Sequence, residues 1–237
     1  MKKRKWLALS LAAVLTFSIT GCGGQQTVEN PEMYGEGVDS AFETENMQLE
    51  TCVMAVGEDE VSLNEMLFYV YQLKASYDGS MTSQVWKYEY KDGETIGDYS
   101  KEELVKEIAQ IKIICQEANN QGYALTEEET NEAVVDANAF VGELPDDAKE
   151  YHLTKKLVEK IYKEHALAKK MYDVVGGTIN TKVSDEEVAD AEDPDAEKER
   201  ILEERERTAF EESYKEWKSK YEIVVSETLL DEIQMDR

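Results

Sequence analysis

At three places along this chain a hydroxyl residue with glutamate three positions later opens an apolar pattern of helical period: Ser62 with Glu65, Ser100 with Glu103, Thr126 with Glu129. Such capping boxes satisfy two of the orphan amides of a helix start and mark it in sequence. After the first, Leu63, Leu67 and Val70 recur at helical spacing to about Tyr77. After the second, Leu104, Ile108, Ile111, Cys115 and Ala118 step by four and three until Gly122 stops the pattern. The third opens a helix through Val134, Ala137 and Val141, broken at Pro145. A fourth helix is predicted from near Thr154, with Val158, Ile161, His165, Ala168 and Tyr172 on one face and Gly176-Gly177 as its end. A chain punctuated this way folds mainly as α-helix.

The remainder is shorter and more varied. Cys52 to Val56 reads as an apolar strand, Gly57-Glu58-Asp59 as a turn and Glu60-Val61 as the return stroke. Asp78 to Tyr99 is aromatic and irregular and is expected to be a loop. Residues 184–207 hold twelve acidic and four basic residues with almost no apolar stripe, the pattern of a solvated connector or an exposed helix rather than core. A face returns with Phe210, Tyr214, Trp217 and Tyr221, running into a strand at Glu222 to Val225, and Ser226 opens a last short helix. The early and late strands are the two good candidates for pairing. The fold class expected is therefore mainly α, with a small antiparallel sheet formed by the N- and C-terminal strands.

The first residues have a different character. Lys2 to Lys5 are basic, Trp6 to Ile19 is apolar, and small residues close the segment at Gly21-Cys22, the order of a secretory signal. The apolar part is shorter than the roughly 20 residues of a spanning helix. Ile19-Thr20-Gly21-Cys22 resembles the lipobox of bacterial lipoproteins. That resemblance implies cleavage after residue 21 and acylation of Cys22, and hence a chain lipid-anchored on the extracytoplasmic face of the cell membrane. Residues 23–50 carry seven acidic and no basic residues and no apolar period, as a disordered tether would.

Loss of residues 1–21 removes four basic and no acidic groups, which moves the formal charge from −26 to −30. A field of that sign repels phosphate backbones and anionic head groups, so nucleic acid is not an expected partner and the membrane is reached through the anchor only. Cationic or unfolded chains are favoured. Cys52 and Cys115 lie among apolar residues and read as buried free thiols rather than a disulfide. No phosphate loop, nucleophile constellation or metal spacing is present, so no ATP site, cofactor, metal or catalytic residue is predicted. His165, inside an apolar stripe, is expected to be a packed or hydrogen-bonded core residue. The acidic runs lack calcium-loop spacing and read as solvated faces.

The order of pieces resembles the peptide-binding part of the extracytoplasmic foldases of the PrsA and SurA group, which is also similar to that of trigger factor. The segments that carry the resemblance are Val53 to Glu65, His165 to Tyr172, Val183 to Val188 and Phe210 to Val225. The resemblance implies a helical chaperone-like domain over residues 51–183, completed by residues 208–237. An acidic connector at 184–207 then stands where the complete foldases insert a parvulin prolyl isomerase. It implies an ATP-independent holdase for unfolded or newly secreted polypeptides. A scaffold for one folded envelope partner, or a residual isomerase, are the other readings. Client contact is expected at Phe68 and Tyr69 of the first helix and at Trp86, Tyr88 and Tyr90 of the aromatic loop, with simple packing of that loop over the helices as the alternative.

Overall fold

The computed structural model describes residues 51–76 and 83–235. The signal segment, Cys22, the tether, residues 77–82 of the aromatic stretch and the last two residues lie outside the described residues.

The chain begins with strand β1 (Cys52–Val56), which turns through Gly57 into β2 (Asp59–Ser62). Gly57 is required there. Its φ is +57°, and a Cβ would stand 2.7 Å from both the Gln116 side chain and the Tyr221 ring. Gln116 grips the same turn, donating to the Val56 carbonyl at 2.8 Å and accepting from the Glu58 amide at 3.3 Å. At the far end of the chain β5 (Ile223–Val225) returns to pair antiparallel with β1, Met54 opposite Val225 and Val56 opposite Ile223, in the sheet order β2-β1-β5. The two strands read from the sequence are thus neighbours, as expected.

Helix α1 (Leu63–Ser76) follows β2 directly. Ser62 Oγ accepts from the Glu65 amide at 3.2 Å, but the reciprocal half of the expected capping box is not made, because the Glu65 side chain is turned into the core. Helix α2 (Ile96–Asn120) starts five residues earlier than predicted, on a Thr95/Asp98 capping box instead of Ser100/Glu103. Ser100 is buried inside the helix. This helix is the axis of the molecule: Leu104, Ile108, Ile111, Cys115 and Ala118 are buried as their spacing predicts, and Val105, Ala109, Ile113 and Ile114 are buried too. It packs against α1, α4, α5 and β1, so most of its circumference is covered. Helix α3 (Glu127–Glu143) carries the Thr126/Glu129 box intact, and α4 (Lys155–Gly176) is capped by Thr154. These two pack extensively on each other.

The acidic connector resolves into two parts. Residues 180–187 are pinned by Arg205, which donates to the carbonyls of Asn180 and Lys182 and pairs with Glu187. From Pro194 to Lys218 the chain is one helix, α5, with Asp193 as cap and Pro194 in the first turn, where its missing amide costs no hydrogen bond. The boundary expected at 207/208 therefore falls inside a continuous helix. Val188 is buried, contrary to a wholly solvated connector. Phe210, Tyr214 and Trp217 are core, as their spacing predicts, with Phe210 5.0 Å from the Tyr172 ring. A final helix α6 (Glu227–Glu232) follows β5.

Candidate functional site

Among the described residues, one group of chemistry-bearing side chains lies inside the molecule and another on its surface. Inside, where α1, α2 and α4 meet, Lys112 Nζ lies 2.6 Å from Glu65 Oε1 and 2.7 Å from both carboxylate oxygens of Glu164. Lys112 and Glu65 are each 1 % exposed. Lys160 approaches from the rim, 2.8 Å from Glu65 Oε2. Beside this network Tyr69 Oη and His165 Nε2 are 3.1 Å apart, and the Cys115 thiol donates to the Glu164 carbonyl at 3.3 Å.

These groups are held in their unreactive forms. Burial opposes the Lys112 ammonium, yet the Glu164 and Glu65 carboxylates outweigh that cost and raise its pKa. Burial, aided by nearby Lys112, depresses His165 to about 3, so the imidazole is neutral and accepts or donates a hydrogen bond without titrating near neutrality. Burial and the Glu164 charge push Cys115 up to about 12, which keeps it a thiol. Burial also raises Glu164. A neutral histidine whose bonded partner is a tyrosine, and a cysteine bonded to a backbone carbonyl, do not make a nucleophile and base. This is a cross-link of three helices. Sequence reasoning missed it because Glu65 reads equally well as a cap; the visible signal was Lys112, set in the apolar run Ile111-Lys112-Ile113-Ile114.

The surface site is the aromatic stretch. Residues 83–87 form a 3-10 turn, then β3 (Glu89–Lys91) and β4 (Glu94–Thr95) pair as a hairpin that leads straight into α2. From Ser83 on, the stretch expected to be a loop is thus a turn, a hairpin and the start of α2. Asp92 and Gly93 both have positive φ, 53° and 90°, the backbone of a tight primed turn, and the Asp92-Gly93 pair was the sequence signal for it. The Glu89 carboxylate accepts from the Gly93 amide at 3.2 Å and braces the turn.

Of the five side chains expected to meet a client, the structure separates two from three. Tyr88 and Tyr90 are 59 % and 55 % exposed. Phe68, Tyr69 and Trp86 are buried, which corrects the expectation that they present a contact surface. Phe68 sits edge-on to Tyr69, Phe140 and Tyr162 and joins α1 to α3 and α4. Tyr69 holds His165, and Trp86 is buried, part of the floor of the groove beside the hairpin rather than an exposed face. Tyr99, not singled out from sequence, belongs to the surface group: its ring stacks on Tyr90 at 4.4 Å.

Beside the hairpin lies an open groove of about 300 Å³ whose lining includes Trp86, Thr95, Lys101, Asp231, Ile233 and Met235. Lys101, itself buried, bonds the Leu230 carbonyl at 3.3 Å and lies 3.3 Å from Asp98, tying α2 to α6. The Thr95 hydroxyl holds Asp98 in its charged form, lowering its pKa, and the nearby Glu103 charge raises that of Tyr99. Glu89, Asp92 and Asp98 are exposed around the tyrosines. Lys87 and Lys91 are exposed there too, so the result is an aromatic surface among charges of both signs, with Tyr88 exposed and Tyr90 stacked on Tyr99. Among the described residues no helix is long and apolar enough to cross a membrane, and no group of three or more acidic, histidine or cysteine side chains is arranged to hold a metal ion. Compared with protein-family models, curated proteins and solved structures, the chain finds no match.

Proposed function

We propose that this protein is a membrane-anchored extracytoplasmic chaperone of the PrsA and SurA kind that holds unfolded or newly secreted polypeptides without catalysis and without ATP. The observation that carries the reading is the pair Tyr88 and Tyr90, more than half exposed on an ordered hairpin beside an open groove. Tyrosine offers large, adaptable contact at low entropic cost, which suits a surface that must accept many sequences. The pairing of β5 with β1 around a helical body supports the likeness to the foldase peptide-binding domain. The unreactive state of His165 and Cys115 is what a non-catalytic role requires. Cys22 is the proposed point of lipid attachment, and the acidic surface would favour cationic clients while limiting self-association.

The test is light scattering from two unrelated unfolded proteins as they aggregate, with and without a molar excess of residues 51–237. Suppression of both is the expected result. Unchanged scattering for both would leave the scaffold for a single folded partner as the better reading.

A further inference from the structure

Among the described residues, the outer edge of the sheet carries backbone hydrogen-bonding groups without a backbone partner. The Ser226 amide donates to the Val53 carbonyl and the Gly57 amide to the Glu222 carbonyl, both at 2.9 Å, and Ala55 stands opposite Val224. In an antiparallel ladder, bonded and non-bonded pairs alternate. Glu222, Val224 and Ser226 therefore turn their amides and carbonyls toward β1, and Ile223 and Val225 turn theirs outward. Neither outward residue has a backbone partner among the described residues. β1 is the principal neighbour of β5, and the strand is only half-buried. Natural proteins cover such edges, keep them short or place lysine or proline on them; β5 is three residues long, and Ile223-Val224-Val225 carries neither lysine nor proline.

Charge selects the occupant. Glu222 and Glu227 flank the strand and are exposed, and the nearest lysine, Lys220, is engaged by Glu117 and Glu216 at 3.4 Å each. A second copy of this chain would bring another strongly negative surface to the same edge, and the acidic residues 23–50 would do likewise. An extended segment bearing apolar and basic residues meets both demands. Position adds to this: α6 is six residues long, roughly 9 Å, and joins β5 to Ile233 and Met235 of the groove beside the tyrosine hairpin.

We infer that the free edge of β5 is a strand-addition site, where Ile223 and Val225 bond the backbone of an extended, basic and apolar client segment. The inference rests on the chaperone reading and names its substrate class. Backbone pairing is indifferent to client side chains, while the flanking glutamates prefer lysine and arginine.

The experiment uses the full chain held in nanodiscs of zwitterionic lipid, with binding of a short labelled peptide of alternating valine and lysine read by fluorescence anisotropy. Val225→Pro removes an outward amide and leaves the bonds to β1, a position where an edge strand tolerates proline. It is expected to weaken peptide binding roughly tenfold. Val225→Ala keeps the amide and should weaken it by less than about threefold. On the unaltered chain, saturating peptide should slow hydrogen exchange of the Ile223 and Val225 amides, a readout that survives even if the proline variant fails to fold. Equal binding by Val225→Pro together with unchanged exchange would overturn the edge site while leaving the chaperone reading intact, provided aggregation is still suppressed. Failure of the unaltered chain both to bind peptide and to suppress aggregation would remove both. Equal affinity for a valine–glutamate peptide would overturn the preference for basic segments, and a dimer that Val225→Pro dissociates would assign the edge to self-pairing instead.

Discussion

The ion network inside the molecule and the tyrosine hairpin on its surface draw on similar residue types and use them in opposite ways. In the core, glutamate, lysine, histidine, tyrosine and cysteine are packed at 2.6 to 3.3 Å from one another or from backbone, and burial holds His165 neutral and Cys115 protonated. On the hairpin, Tyr88 and Tyr90 stand in water, with a stack on Tyr99 as the main constraint on Tyr90. The ionisable residues gathered in the core are thus structural here. The aromatic stretch read as a loop presents the exposed rings. Burial makes the difference, because a desolvated ionisable group must be partnered or neutral, whereas an exposed aromatic ring can wait for a partner.

The comparison breaks first at Lys112. Replacing it by methionine leaves the buried Glu65 carboxylate with only the rim residue Lys160 as counter-charge and removes the closest cation from Glu164, and should cost about 3 kcal/mol in urea unfolding. A loss under about 1 kcal/mol would mean that the network does not hold the helices together.

The second prediction is a pH dependence. His165 binds its proton near pH 3 when folded, against an ordinary value of 6.5, so the unfolded chain takes up more protons between those limits. Its contribution to stability is complete above pH 6.5 and is lost as pH falls, by about 2 kcal/mol at pH 5. Glu164, raised by burial, acts with the opposite sign, its contribution being lost as pH rises. The difference between the unaltered chain and His165→Gln isolates the histidine: the variant should lose less stability between pH 7 and pH 5, as followed by chemical denaturation. Parallel curves would show that the imidazole is not desolvated.

At the junction of hairpin and axis, Thr95→Ala removes the α2 cap and should cost about 1 kcal/mol, readable as a lowered thermal midpoint. An effect of that size at Thr95 would place the helix cap five residues before Ser100 by an independent measurement.

The smallest effect on stability is expected at the surface. Tyr88→Ser should change unfolding free energy by less than about 0.5 kcal/mol and yet reduce suppression of client aggregation in light scattering. Full suppression with Tyr88→Ser and Tyr90→Ser combined would move the contact surface away from the hairpin.

Much of the fold was legible because its signals are local. The Thr126/Glu129 box, the Thr154 cap and the apolar steps along α2 act within one or two helical turns, and each stands where its spacing puts it. The pairing of the two end strands was readable by elimination. The start of α2 was not, because Thr95/Asp98 and Ser100/Glu103 are both capping patterns, and the hairpin before Thr95 decided between them. The aromatic site was half legible. Alternation of Trp86, Tyr88 and Tyr90 marked the stretch, but not which of those rings would be floor and which face.

The amino-acid sequence by itself therefore determined the helical class, the strand ends and the strongly acidic character, since periodicity, caps and charge are properties of neighbours along the chain. The tertiary structure decided that Glu65 belongs to Lys112 rather than to its own helix cap, that Phe68, Tyr69 and Trp86 are core, and that Ile223 and Val225 turn their amides away from β1, toward no backbone partner among the described residues. Each of those depends on which distant segment lies alongside, and with it on whether a polar group or a ring finds protein or water.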